Sequence, residues 1–431
     1  MAEPAPPPTP RSLWHHRDFM LLWGGQTVSE VGSAVTTLAL PLVALLSLHA
    51  TTFEVGALAA CTNVAFLVVA LPAGAWVDRW RKRRVMLWSD AGRVIVLGSI
   101  PVAKAFDALR LPQLYVVAVV SGVLTVFFDV AYQSYLPELV ERDQLVDGNG
   151  KIGASQAFGQ VAGPGLGGAL VGALGGAYAV VVDAASFAVS TVATFAIRRP
   201  EPRPLSAGTP RNLRGEIREG LAFVFGHPIL RKVVGCTATS NFFSGGQFAI
   251  ETVYLVRTLH ASAAVIGLVL SVGSVGGLIG GVLAGRISAR VGTARVIWLS
   301  QVIGGPFGLL AALAFRGWGV ALVAASFFAV SATSVIYNTA QVSYRQAVSP
   351  RPLLGRMNAS VRFIVWGTLP IGAITGGVLG TVIGLRATVL VCALGIWASA
   401  LWVVFSPLFG MRDVPDEEPA VRPLTTGLAA D

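Results

Sequence analysis

Four apolar stretches of the sequence each contain a row of polar side chains spaced three or four residues apart. Steps of this size place the members of a row on one face of a helix. Lipid offers such a face no hydrogen-bonding partner, so the face must meet protein or water. We therefore predict a shared polar cavity, the alternative being that helix contacts alone satisfy these groups. The rows are Gln26, Glu30, Ser33 and Thr37; Ser121, Thr125, Asp129 and Gln133; Ser240, Ser244, Gln247 and Glu251; and Ser331, Ser334, Asn338 and Gln341.

Glu30 is the first candidate for a proton-exchanging group. It lies in the middle of an apolar stretch, with no charged residue within one helical turn. A carboxyl group that is shielded from water holds its proton more readily and releases it when its exposure changes. A structural carboxyl group held by hydrogen bonds is the alternative. Asp129 is the second candidate. Asp90 and Arg93 are three residues apart, so they are predicted to pair structurally on their own helix, and the sequence indicates no partner for Asp183.

Other kinds of functional site find little support. Gly163, Gly165 and Gly168 match a dinucleotide-binding pattern, but no strand precedes them. The three cysteines occupy apolar stretches at unrelated spacings, and we expect them to be small buried side chains. No group of residues has zinc-ligand spacing, and neither a nucleophile–base set nor a P-loop is visible. The sequence therefore predicts no enzyme, no metal site and no cofactor.

The elements that carry these residues are predicted to be membrane-spanning helices. Hydrophobic residues make up 54% of the 431 residues and charged residues only 13%, whereas a soluble domain carries about 25% charged residues. Apolar runs near 20 residues long recur along the whole chain. We predict an all-α membrane protein of twelve transmembrane helices in two pseudo-symmetric six-helix halves. The predicted spans are 19–48, 54–77, 85–106, 113–136, 151–174, 176–197, 232–256, 262–285, 294–315, 317–341, 359–383 and 385–408.

Charge distribution predicts how the chain lies in the membrane. The even-numbered turns, the linker and both tails hold 25 of the 32 Lys and Arg residues, which predicts that both termini are cytoplasmic. This topology explains the net charge of +10 better than nucleic-acid binding does, and it places Glu251 towards the outer interface. The predicted domains are a disordered tail (1–16), the first half (17–197), a linker with an amphipathic surface helix (198–230), the second half (231–408) and a tail (409–431).

The two halves are predicted to be repeats of one another. A shift of 209 residues without a gap aligns matching residues through a span, a loop and the next span, which indicates duplication. We expect the repeated glycines to form the contact between the halves, because glycine lets helices approach closely. The aligned pairs are Tyr135 with Tyr344, Asn149 with Asn358, Gly163 with Gly372, Gly167 with Gly376, and Gly168 with Gly377.

These features together resemble the major facilitator superfamily, over essentially residues 17–408. The fifth span is similar at every fixed position to the family's antiporter motif, which is characteristic of exporters. The strings that begin at Gln26, Phe128 and Leu354 look like the branch that contains macrolide efflux proteins and the enterobactin exporter. In the second half Ala373 replaces the motif's proline. The motif residues are Gly159, Gly163, Pro164, Gly167 and Gly168.

The turn after the second span resembles the family's signature loop. Arg81 stands where the family has glycine. The resemblance implies that Asp78 caps the start of the eleventh span, where a helix N-terminus favours negative charge. The corresponding turn of the second half has lost this acid, so the latch would be one-sided. The matching residues are Gly74, Asp78, Arg79, Lys82 and Arg83.

The resemblance implies an exporter of a small organic molecule, such as a drug, a siderophore or a secondary metabolite. It would work by alternating access in the cell membrane, as a monomer in the lipid bilayer, with protons as the coupling ion. Many drug–proton antiporters carry an arginine in the fourth span, and this chain has none there, so that proton relay is not carried over. The alternatives are an importer or facilitator and a non-transporting membrane sensor or assembly protein.

Overall fold

The computed structural model describes residues 13–77, 79–141, 144–201, 213–350 and 353–413. Within these ranges all regular structure is helical. The α-helices are α1 (Arg17–Leu42), α2 (Thr52–Val77), α3 (Lys82–Ala105), α4 (Leu111–Leu139), α5 (Leu145–Leu174), α6 (Gly176–Phe195), α7 (Leu213–Gly226), α8 (Leu230–Val253), α9 (Ala263–Val291), α10 (Thr293–Leu313), α11 (Val320–Val348), α12 (Leu354–Val382), α13 (Leu385–Ala398) and α14 (Ala400–Val404).

The described helices account for the twelve predicted spans. Eleven segments are long and apolar enough to cross a membrane, and α13 with α14 forms the last of them. The remaining span is α8, which qualifies together with the linker helix α7. These two helices meet at a bend of 105°, so α7 leaves the direction of the bundle. It packs against α12, where Glu219 forms an ion pair with Arg356.

Part of each predicted tail is ordered. Leu13–His15 form a 3₁₀ turn, and the side chain of Leu13 is fully buried. At the other end of the chain, the backbone N–H of Thr293 donates a hydrogen bond to Asp413 Oδ1 over 2.9 Å. The described residues therefore begin at Leu13 and end at Asp413, and the rest of both tails lies outside them.

The two halves pack their helices in the same pattern. In the first half α1 packs on α5 and α6, α2 on α4, and α3 on α4 and α6. The second half repeats each contact: α8 packs on α12 and α13, α9 on α11, and α10 on α11 and α13. The first helix of each half also ends in the same way, in a π-turn at Val43–Ser47 or Tyr254–Thr258. The predicted two-fold repeat is confirmed.

The same two turns reveal a change in the register of the repeat. Each π-turn is followed by a histidine in the left-handed region, His49 with φ 54° and His260 with φ 56°. These histidines are 211 positions apart, whereas the fifth spans of the two halves, α5 and α12, align with a shift of 209 residues. The helices kept their packing while loop lengths changed by two residues, because loops tolerate such changes and packed faces do not.

The halves touch mainly through two symmetrical pairs of helices, α5 with α9 and α2 with α12, and α2 also contacts α8. At each pair, glycine lets the two backbones meet. A Cβ on Gly168 would stand 2.4 Å from the carbonyl oxygen of Ala263, and one on Gly267 would stand 2.2 Å from that of Pro164. A Cβ on Gly56 would likewise stand 2.9 Å from Gly377 Cα. No larger residue fits at these positions unless the helices move apart.

These contacts lie near one end of the bundle. We call the end that carries α7 the linker end and the opposite end the far end. At the far end, Arg257 Nη2 also donates a hydrogen bond to the carbonyl oxygen of Ala50 in the other half, over 2.6 Å. Towards the linker end a Cβ on Gly153, Gly285 or Gly355 would meet open space. The halves are therefore closed at the far end and apart at the linker end.

Gly168→Val tests whether the far end closes through backbone contact. The added side chain must push α5 away from α9, and overpacking of this kind costs about 1–3 kcal/mol. We expect a lower thermal midpoint of the purified protein and a longer distance between spin labels on the loops after α1 and α8. Gly172→Val in the same helix is the control, because a Cβ there has no neighbour within 4 Å. Equal behaviour of the two variants would contradict this account.

Candidate functional site

A cavity of about 1070 Å³ lies between the two halves. Helices α1, α2 and α5 supply one wall, and α8 to α13 supply the other. Three of the four polar rows reach it. The row members that line this main cavity are Thr37, Ser244, Gln247, Glu251, Ser331 and Ser334.

A second, smaller cavity of about 300 Å³ adjoins the first. Three further row members line it, Ser33 on α1 and Ser121 and Thr125 on α4. The polar rows thus face two neighbouring cavities rather than one. The side chains that line both cavities are Thr37, Phe248, Glu251 and Leu270.

Seven row members line neither of these cavities. Two of them are held by a neighbour on their own helix: Gln26 Nε2 donates to Glu30 Oε1 over 3.0 Å, and Gln341 Nε2 donates to Asn338 Oδ1 over 2.9 Å. Gln133 is exposed on the linker-end half of α4. Intrahelical partners therefore serve part of the rows, which was the alternative to a cavity. The seven are Gln26, Glu30, Asp129, Gln133, Ser240, Asn338 and Gln341.

The two candidate proton-exchanging residues lie on neighbouring elements of the first half. Glu30 is half-buried on α1, and a Cβ on Gly159 of α5 would stand 3.2 Å from the Cβ of Glu30. Asp129 on α4 is close enough to interact electrostatically with both Glu30 and Arg93. The two carboxyl groups are therefore close enough to influence each other electrostatically, and residue spacing alone does not indicate this proximity.

A buried arginine is the centre of the charges in the first half. The guanidinium of Arg93 forms an ion pair with Asp90, as predicted, and lies 4.0 Å from the ring centre of Phe187. Asp90 also accepts a hydrogen bond from Ser190 Oγ over 2.7 Å. Asp183 accepts a hydrogen bond from Ser186 Oγ of its own helix over 3.3 Å, and it is close enough to Arg93 of α3 for an electrostatic attraction. Several weak attractions to one cation offset the cost of burying it.

Some residues that line the main cavity were not predicted from the sequence. Asn63, Gln160, Ser274 and Gln301 also line the main cavity. Each stands apart from the four rows, so spacing gave no signal. A single amide inside an apolar span is itself a weak signal, because lipid cannot satisfy it.

Two stretches of the chain, residues 22–252 and 233–429, match the family model described as Major Facilitator Superfamily. The chain belongs to the major facilitator superfamily. It is 29% identical to the multidrug efflux pump Tap of Mycolicibacterium fortuitum, over 90% of this chain and 95% of that protein. It is 24% identical to macrolide efflux protein A of Streptococcus pyogenes, over 47% of this chain and 50% of that protein.

Solved structures of major facilitator proteins share the fold. A bacterial homologue of the iron transporter ferroportin in its inward-facing state has a TM-score of 0.72 at 15% identity, covering 90% of this chain and 98% of that one. Its outward-facing state covers the same shares with a TM-score of 0.57 at 17% identity. The chain is therefore a multi-pass membrane transporter of this superfamily, and its relatives are transporters rather than enzymes.

The turn that resembles the signature loop of the superfamily connects several helices of the first half. Lys82 forms an ion pair with Glu138 at the end of α4, and its backbone N–H donates to Glu201 beyond α6. Arg83 donates to the carbonyl oxygens of Thr194 and Phe195, the latter over 2.6 Å. Asp78 lies outside the described residues, so its predicted capping role stays a prediction. Gly74 lies in the last turn of α2, and Arg79 follows the end of this helix.

The glycines of the string that resembles the antiporter motif pack against two different helices. Gly159, Gly163 and Gly167 pack on α1 within the first half, and a Cβ on Gly163 would stand 2.3 Å from that of Ala34. Only Gly168 packs across the halves, on α9. Our expectation that all the repeated glycines form the half-to-half contact was wrong for Gly163 and Gly167, and equally for their counterparts Gly372 and Gly376, which pack on α8 within the second half. One-residue steps turn a helix by about 100°, so neighbouring glycines must face different helices.

Pro164 shares the interface face of α5 and lines the main cavity. It has no N–H, and its ring prevents the regular hydrogen bond to the preceding turn. The next N–H, that of Gly165, donates across the interface to Ser271 Oγ over 3.0 Å. The proline therefore coincides with a polar contact between the halves, close to the backbone contact of Gly168.

Arg93→Gln tests the charge cluster of the first half. Removing the cation leaves Asp90 buried without its partner, and breaking a buried pair in this way costs about 3–5 kcal/mol. We expect a clear fall in the thermal midpoint of the protein in detergent. The double variant Asp90→Asn/Arg93→Gln removes both charges and should recover part of the loss. A double variant no more stable than Arg93→Gln would show that the pair is not the reason.

Proposed function

We propose that this chain exports a small organic molecule from the cell by alternating access, with protons entering in exchange. The observation that carries the proposal is the main cavity between two repeated halves that are joined at the far end and apart at the linker end. Such a cavity is reached from one side of the membrane. A transporter of this kind must then exchange which end is closed.

The direction of transport follows from the charge distribution and the relatives. The excess of Lys and Arg at the linker end favours a cytoplasmic linker and cytoplasmic termini, so the cavity would load from the cytoplasm. Tap, the relative that matches 90% of this chain, is named a multidrug efflux pump. The complete helix-five motif, with Pro164 at the interface, supports the same direction. A medium-sized organic molecule suits a cavity of about 1070 Å³.

The rocking motion would use the contacts described above. The functional units would be the halves 17–197 and 231–408, joined by the linker 198–230 and its surface helix. Opening the far end separates Gly168 from Gly267 and breaks the hydrogen bond from Arg257 to Ala50. These contacts are few and non-covalent, so substrate or proton binding can shift the balance between the two states. Because one chain supplies both walls of the cavity, we infer that it works as a monomer.

Glu30 and Asp129 are proposed to exchange the proton. They interact with each other through space, so neutralising one changes the charge that the other experiences. Their helices α1 and α4 also line the smaller cavity through Ser33 and Thr125, which lie one turn away from each. One proton entering down 100 mV supplies about 2.3 kcal/mol. At about 1.4 kcal/mol per tenfold ratio, this sustains roughly a fifty-fold gradient of a neutral solute.

Transport in inverted membrane vesicles tests the function. Vesicles energised by a proton gradient should accumulate a compound from a panel of antibiotics and siderophores, and accumulation should cease when an ionophore collapses the gradient. Vesicles that lack the protein are the control. Accumulation that persists without a gradient would refute proton coupling. Uptake driven only by the substrate's own gradient would favour a facilitator instead.

Glu30→Gln and Asp129→Asn test the coupling residues in the same vesicles. Each variant keeps the shape of the side chain but cannot release a proton, so we expect gradient-driven accumulation to fall towards the level of vesicles without the protein. Exchange of substrate across the membrane without a gradient should remain. Asp107→Asn, in the exposed turn after α3 where φ is 50°, is the control, since asparagine tolerates this backbone. Full accumulation by Glu30→Gln would exclude that residue from coupling.

A further inference from the structure

The main cavity has one ionisable side chain among the described residues that line it, Glu251. The remainder of its wall is built from apolar side chains, glycines, hydroxyls and amides. The cavity therefore offers a ligand a negative charge and no positive one. Glu251, which was expected towards the outer interface, lies in the last turn of α8 at the far end and lines the cavity wall there.

Glu251 stands where the two cavities adjoin. It lines both of them, together with Thr37, Phe248 and Leu270. Within the part of the chain that the structure describes, its carboxylate has no hydrogen-bond donor and no ion-pair partner. Arg93 also lines the smaller cavity, where it forms an ion pair with Asp90, and Arg257 donates a hydrogen bond to the carbonyl oxygen of Ala50. The acid is therefore available to a ligand.

An unpaired carboxylate in an apolar wall is costly to maintain. Burying a charge without a partner carries a large desolvation penalty, which a bound opposite charge relieves. The described residues that line the main cavity supply no such charge, so a cationic ligand would relieve this penalty. Phe248, 53% exposed, lies one turn before Glu251 on the same helix, and Phe327 of α11 also lines the main cavity. Aromatic faces attract cations at close range, so these rings favour the same class of ligand.

The charge belongs to the second half alone. Counting back 211 residues, the offset that relates the first helices of the two halves, Glu251 corresponds to Leu40. Glu30 corresponds to Asn241 in the same way. The two carboxyl groups are therefore not repeats of one another, and they lie at different depths in the bundle. This separates a site for the ligand's charge from the proposed proton-exchanging pair in the first half.

We propose that Glu251 recognises the positive charge of the substrate and that the substrates are organic cations with an apolar body. The proposal rests on the transport function proposed above and names its substrate class. The cation would sit at the closed end of the cavity beside Glu251 and Phe248. Its apolar groups would lie along the wall formed by α9 and α11, where Gly273, Gly277 and Gly281 leave room.

Equilibrium binding to the full-length protein in lipid nanodiscs tests the proposal without requiring transport. The probes are tetraphenylphosphonium, a permanent cation, and triphenylphosphine oxide, a neutral molecule of similar shape. We expect the wild-type protein to bind the cation. Glu251→Gln should bind it at least about tenfold more weakly, which corresponds to a loss of about 1.4 kcal/mol of binding free energy. Binding of the neutral probe should be the same in both proteins.

Two further variants keep the test decisive. Glu251→Asp retains the charge and should bind the cation within about threefold of the wild type, a difference below 1 kcal/mol. Glu54→Gln removes an acid that only caps the start of α2 through Thr51, and it should bind both probes like the wild type.

Three results would overturn the proposal: no binding of the cation by the wild type, unchanged cation binding by Glu251→Gln, or an equal loss for both probes. Intact, charge-dependent binding without export in vesicles would instead refute the proposed function and leave the recognition site standing.

Discussion

The whole arrangement depends on how closely two backbones approach at the far end of the bundle. Gly168 meets Gly267 and Gly56 meets Gly377, and at both places carbonyl oxygens occupy the space of a missing side chain. Association in lipid lacks the hydrophobic driving force that works in water, so tight van der Waals contact must supply it. The contacts of this joint are non-covalent, so they hold the halves together and still allow them to part. The cavity exists because this joint is confined to one end.

The buried charges of the two halves differ in whether they are paired within the protein. In the first half, Arg93 forms an ion pair with Asp90 and lies near further carboxyl groups and aromatic rings. In the second half, Glu251 faces the cavity without a counterpart among the described residues. Charges that are paired within the protein stabilise a rigid half, whereas a charge without a partner favours the binding of a ligand of opposite charge. The repeat thus kept its helix packing while its chemistry diverged.

Much of the fold was predictable because it rests on local patterns. Apolar runs near 20 residues fix where helices cross the membrane, since no backbone group can stay unpaired in lipid. Spacing of three and four residues assigned the polar rows to single helix faces, and the cavity walls include members of all four rows once both cavities are counted. The twofold repeat was also visible in the sequence, because duplicated packing faces retain their glycines. The ion pair between Asp90 and Arg93 followed from their separation on one helix.

By itself, the sequence determined the class of protein, the number of spans, the repeat and the faces that carry polar groups. Only the tertiary structure decided which faces meet. It packed some glycines of α5 against α1 and others against α9. It brought Asp183 close enough to Arg93 of another helix for an electrostatic attraction. It also placed Glu251 where two cavities adjoin, whereas Glu30 lines neither of them. The physical reason is that helix periodicity specifies direction around one axis, while partners depend on how separate helices are brought together. Loop lengths that differ by two residues between the repeats leave the sequence register unable to supply that information.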